Sequence, residues 1–243
     1  AVVVTHQHVD HTADLEAILG VLKEYSKVAE KVPEYGLEEK KVHFFFSESG
    51  YVRWAKLLLQ NLDKLKEIPF PMYPNKKVPC TKYTELTPVP VFGHLDIVEE
   101  PEELPPTGVG LRFRVKSGDG THVLGITSDT GYVNADGCTL SRYYSECDTL
   151  VIHVSTIADL SAWDKEQDPD FDRKFIRHRS EWQKDGCPDI FYRKHLGFWG
   201  TACLIRDLTV MDRARREPKG PRTILLAEFG EEMLASRFAL LDE

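Results

Sequence analysis

Three histidines and one aspartate fall within six residues, in the run Thr5-His6-Gln7-His8-Val9-Asp10-His11. The run follows Val2-Val3-Val4, which reads as a short buried strand, and precedes a stretch of helical periodicity. Residues two apart on an extended backbone point to one side, so His6 and His8 are expected to face together. The turn into the helix then swings Asp10 and His11 towards a neighbouring point. Neutral imidazoles and carboxylates are the donor set of zinc and similar divalent ions, and this spacing suits two adjacent metals.

The remaining chain alternates helical and strand patterns, which places it in the α/β class. Leu15, Ile18, Leu19, Leu22 and Tyr25 recur at helical spacing, predicting a helix over residues 12–29. A strand is expected at Val42–Phe46 and a helix at Tyr51–Leu65, before Pro69, Pro71 and Pro74 break the chain. Strands follow at Leu86–Phe92, Val109–Val115 and His122–Thr127, the last two flanking the hairpin signal Ser117-Gly118-Asp119-Gly120. Leu150–Val154 and Thr223–Ala227 read as strands, Leu196–Leu208 as a helix, and Glu231–Leu241 as a closing helix. The acidic, proline-rich run Glu99–Pro106 and the aperiodic residues 157–194 read as inserted loops, a length that tends to serve as a cover or a partner-binding element.

Composition narrows the setting. The five cysteines are odd in number and widely spaced, so neither a disulfide framework nor a cysteine zinc site is expected, and they read as packing residues. No apolar run approaches the roughly 18 residues of a membrane span, and no leader pattern opens the chain, which reads as cytoplasmic. A net charge of −8 disfavours nonspecific nucleic-acid binding. Basic residues nevertheless cluster at Arg173–Arg179 and Arg213–Arg222, as a solvated surface or a phosphate-facing rim.

With these residues in view, Val2–His11 resembles the H-x-H-x-D-H signature of the metallo-β-lactamase superfamily. Val89–His94 resembles the strand ending in that superfamily's third histidine ligand. Ser128-Asp129-Thr130-Gly131 resembles its aspartate turn, and Asp148–His153 the buried strand that follows. His195-Leu196, leading into a helix, resembles the RNase Z branch, and Ile224–Phe229 occupies the place of that branch's last ligand strand. The similarity runs through nearly all of residues 1–243 and implies an αββα sandwich with 157–194 as an insert. Two features depart from the pattern. Glu228 stands where a histidine is usual, as a harder ligand or a bystander. The chain also begins one strand before the first motif, so the sandwich is expected to lack its first strands and to belong to a larger parent protein.

The resemblance implies a site of two divalent ions, zinc first and manganese as the alternative. His6, His8 and His94 would hold one ion, Asp10, His11 and Glu228 the second, and Asp129 would bridge them. Asp10 would also orient the nucleophile, and His195 would serve the leaving group as general acid or oxyanion donor. His153, in the buried-strand pattern, reads as a support to a ligand, a plain core residue or a ligand itself. His43, His122 and His178 read as structural or solvent-facing. Gly93 and Gly131 adjoin proposed ligands, while Gly108 and Gly110 flank a strand start.

The expected activity is metal-dependent hydrolysis of a phosphodiester in RNA, DNA or a nucleotide, with no membrane partner and with self-association left open. The alternatives are a small-molecule ester, thioester or lactone hydrolase, and a non-catalytic sensor module of a larger protein.

Overall fold

The computed structural model describes residues 1–32, 34, 42–65, 69, 71–91, 108–118, 120–131, 140–154, 196–215 and 219–227. Strand β1 (Val2–Val4) pairs in parallel with β2 (Phe44–Ser47), and β2 in parallel with β3 (Pro71–Met72). A second sheet runs in spatial order from β4 (Val78–Pro79) through β5 (Thr84–Pro90), β6 (Val109–Ser117), β7 (Gly120–Ile126) and β8 (Thr149–His153) to β9 (Thr223–Ala227). Its first four strands form an antiparallel meander, and β7, β8 and β9 are mutually parallel.

Alternation along the strands builds three cores. Val3 and Phe45 turn inward with Met72 to meet Leu86, Val109 and Leu111, so the two sheets pack face to face. Val4, Phe44 and Phe46 turn the other way, beneath α2 (Leu15–Lys31) and α3 (Glu48–Gln60), where Leu15, Leu19 and Leu58 close the layer. On the outer face of the second sheet, Val123, Leu150 and Ile152 meet α4 (Leu140–Tyr144) and α5 (Gly197–Arg213) through Leu140, Tyr144, Cys203, Leu204 and Leu208. Phe46, Leu86, Leu150, Ile152 and Leu204 are all sealed from solvent. Each contributes about 1.5–3 kcal/mol relative to an exposed position. The layer order is helix, sheet, sheet, helix, as the resemblance implies.

Local chemistry sets the element ends. Ser47, the last residue of β2, accepts a hydrogen bond from the Gly50 amide at 3.2 Å and caps α3. The expected β6–β7 hairpin forms, with Ser117 opposite Gly120 and Gly120 at φ 148°, a conformation that favours glycine. Helix α4, with five residues, escaped the sequence reading because it is too short to show a period. The cysteine expectation needs correction. Cys80 and Cys147 are free and buried, as packing residues should be, but Cys203 is disulfide-bonded. Among the described residues no helix is long and apolar enough to cross a membrane. The expected closing helix at 231–241 and the insert at 157–194 lie outside the described residues.

Candidate metal centre

The site forms where the C-terminal ends of β1, β7 and β8 meet across the seam between the sheets. The seam is closed beside β1 by the Val109 amide, which donates to the Thr5 carbonyl at 2.9 Å. Gly108 makes that approach feasible, since a Cβ there would sit 3.2 Å from the Cβ of His6. His6 itself is 1% exposed. Thr5 Oγ1 lies 3.1 Å from its Nδ1, which leaves Nε2 to face the seam.

His8 begins the turn into α1 (Val9–Thr12), and its carbonyl accepts the His11 amide at 3.2 Å and the Thr12 hydroxyl at 2.9 Å. That single turn brings His11 round to His6, with ring centroids 4.1 Å apart. The His6 and His8 rings are 4.7 Å apart, edge to face. The Nε2 atoms of His6 and His8 are both buried.

Asp129 arrives from the second sheet. Beyond β7 the chain is held by the Thr127 amide, which donates to the Val151 carbonyl at 3.0 Å, and by Thr127 Oγ1, which accepts the His153 amide at 2.9 Å. Ser128 then takes the left-handed conformation at φ 54° and turns the chain, so that Asp129 points back over the strand ends. Thr127, Ser128, Asp129 and Thr130 are all buried.

Asp129 is 3% exposed and meets three imidazoles. Its Oδ2 lies 3.2 Å from His6 Nε2, its Oδ1 lies 3.5 Å from His11 Nε2, and Oδ1 also contacts His153 Nδ1. Burial works to raise the carboxyl pKa. Hydrogen bonds with His11, His153 and His6 outweigh it and hold the group far below the usual carboxylate range. A buried, ionised carboxylate ringed by imidazole nitrogens is the donor chemistry a divalent ion requires. One donor atom each from His6, His11 and Asp129 lies within 4.8 Å of the others, so the three present metal-ligating atoms to one small volume.

Of the residues singled out in the sequence, the structure thus gathers His6, His8, His11 and Asp129. The side chain of Asp10 and all of His94, His195 and Glu228 lie outside the described residues. His153, which the sequence left between three roles, is the last residue of β8 and touches Asp129 directly. Its signal was its place at the C-terminal end of a buried parallel strand. His122 is exposed at the far end of β7, where its Nδ1 lies 3.7 Å from Asp148 Oδ2, as a solvent-facing histidine should be.

No family model matches the sequence, and no curated protein matches it. Among solved structures, the chain is similar to zinc-bound PqqB from Methylobacterium extorquens, a metallo-β-lactamase-fold protein. That match has 14% identity and a TM-score of 0.53, covering 99% of this chain and 67% of the other. It is also similar to unliganded yeast PDE1, at 13% identity and a TM-score of 0.46, covering 93% of this chain and 65% of that one. At 14% identity the likeness to PqqB speaks to architecture, and the architecture is the metallo-β-lactamase fold.

Proposed function

We propose that this metallo-β-lactamase-fold chain is a dimetal hydrolase that cleaves phosphodiesters. The observation that carries the reading is the buried carboxylate of Asp129, whose two oxygens face different histidines of the first motif. In this reading His6 and His8, with His94, hold one divalent ion. His11, with Asp10 and Glu228, holds the other, and Asp129 serves both. That PqqB was crystallised with zinc supports zinc as the metal, and the mixed imidazole and carboxylate donors also suit manganese. Bound there, divalent ions would acidify water to near neutrality and neutralise charge on a phosphoryl oxygen.

The chain's own residues do the positioning. His153 donates to Asp129 and fixes which way its carboxylate turns, as partners behind metal ligands commonly do. Thr5 fixes His6 through its Nδ1 side. Burial of the turn residues 127–130 keeps bulk water from competing for the donors. Asp10 would orient the attacking water, and His195, just ahead of α5 in the sequence, would protonate the leaving oxygen. The basic run at 173–179 supports a phosphate-bearing substrate over a neutral ester or lactone.

The test is to assay purified protein, loaded with zinc or manganese, on bis-p-nitrophenyl phosphate and on single-stranded RNA and DNA, beside lactone and thioester substrates. Metal-dependent phosphodiester cleavage is expected. Turnover of a lactone or thioester alone would replace the phosphodiester reading with the small-molecule one. Absence of any bound metal would favour a non-catalytic module.

A further inference from the structure

A polar cavity, of about 280 Å3, opens at the end of the second sheet away from the metal centre. It is lined by Arg114 of β6, by Glu146 and Asp148 ahead of β8, and by Lys219 and Arg222 ahead of β9, with Val123 and Gly220 as its apolar surface. Asp148 and His153 bound β8 at its two ends. Five steps of about 3.3 Å put the cavity roughly 16 Å from the metal centre.

Its walls are pinned. Asp212 Oδ1 accepts the amides of Lys219 and Gly220, each at 2.7 Å, and the Arg222 amide donates to the Asp148 carbonyl at 2.9 Å. Arg215 donates from Nη1 to the Ser145 carbonyl at 2.9 Å and from Nη2 to the Ser145 hydroxyl at 3.0 Å. These bonds tie the segment after α5 to the turn that carries Glu146. Hydrogen bonds thus hold the backbone at Lys219, Gly220 and Arg222.

The charges are unequal. Asp148 is engaged, since its Oδ2 accepts the Val123 amide at 2.7 Å and lies near His122. Glu85, opposite Arg114 in register, forms its ion pair with Lys77 at 3.0 Å. Three cations from two chain segments thus face the cavity, against the carboxylates of Glu146 and of Asp148, the latter already engaged. Guanidinium and ammonium groups so arranged suit a phosphate, and Glu146 suits a hydroxyl or amino donor on the same molecule. The cavity's size fits a small molecule rather than a strand, which would need a cationic track along the surface.

We propose that this cavity is a second binding site, separate from the metal centre, for a small phosphate monoester that carries hydroxyl or amino groups. The test is calorimetric titration of chelator-treated protein with AMP, with inorganic phosphate and adenosine as competitors. AMP is expected to bind, phosphate to compete and adenosine not to. Arg114→Gln/Lys219→Gln should weaken AMP by at least about tenfold, while Asp129→Ala should leave AMP binding unchanged. The proposal is overturned if AMP fails to bind at millimolar concentration, or if adenosine rather than phosphate competes. It is equally overturned if AMP binding depends on Asp129 and not on the two cations, or if a single-stranded oligonucleotide binds here and AMP does not. Because the readout is binding to metal-free protein, its failure is distinct from a failure of the hydrolase reading.

Discussion

His6 Nε2 lies 3.2 Å from Asp129 Oδ2, although the two residues follow strands of different sheets and stand more than a hundred positions apart in the chain. That contact locks the seam of the sandwich, and the other oxygen of the same carboxylate meets His11 and His153.

Replacing Asp129 is the most direct perturbation of the site. Asp129→Ala is expected to lose bound metal and to cut phosphodiesterase activity by more than about 100-fold, because no other described residue spans both histidine groups. Metal content by mass spectrometry and turnover of bis-p-nitrophenyl phosphate check it. Activity within tenfold of wild type would mean the carboxylate is misassigned.

His153→Ala should be milder. The residue orients Asp129 without replacing it, so metal affinity is expected to fall about 10- to 100-fold while the melting temperature of the metal-free protein changes little. A metal titration of both proteins measures this. A loss as complete as that of His6→Ala would make His153 a ligand in its own right.

The turn that delivers Asp129 depends on Ser128 at φ 54°. Glycine tolerates that conformation, so Ser128→Gly is expected to stay within about 1 kcal/mol of wild type in urea unfolding. Ser128→Val should lose about 1–2 kcal/mol or more and weaken metal binding with it. Equal stability of the two variants would show that the turn adapts.

Gly125 sits beneath the buried ring of Tyr144, where a Cβ would lie 2.7 Å from Tyr144 Cδ1 and 2.8 Å from Cys147 Sγ. Tyr144 cannot retreat easily, because its hydroxyl donates to the Ile126 carbonyl at 3.0 Å. Gly125→Ala is expected to cost about 1–3 kcal/mol by overpacking, read from the shift of the urea midpoint. An unshifted midpoint would place slack in this core.

Burial pushes the Cys147 thiol up to about 12. Between the ordinary thiol range and that value the unfolded chain releases a proton that the native chain retains, so stability falls as pH rises through this window. Cys147→Ala should flatten the alkaline limb of the stability profile, once its own cavity cost at neutral pH is subtracted. In the native protein Cys147 should resist thiol reagents at pH 8; prompt labelling there would contradict the burial.

What the sequence disclosed was local. The dense histidine run, the Ser-Gly-Asp-Gly hairpin and the strand Thr223–Ala227 are patterns of a few neighbouring residues, and each appears where expected. What it withheld was long-range. Contact between His153 and Asp129 follows from the parallel register that sets Ile126 opposite Val151, which carries the next residues of both strands to one end. Single-chain periodicity holds no record of that register. The close fit of Tyr144 over Gly125, and the disulfide at Cys203, likewise depend on partners brought in by packing.

The central claim is that one buried carboxylate serves two cations. Diffraction data collected at the zinc and manganese absorption edges from metal-loaded crystals test it most directly. The account predicts two anomalous peaks, both coordinated by Asp129, one on the side of His6 and His8 and one on the side of His11. A single peak remote from Asp129, or no peak beside these histidines in fully loaded crystals, would contradict it.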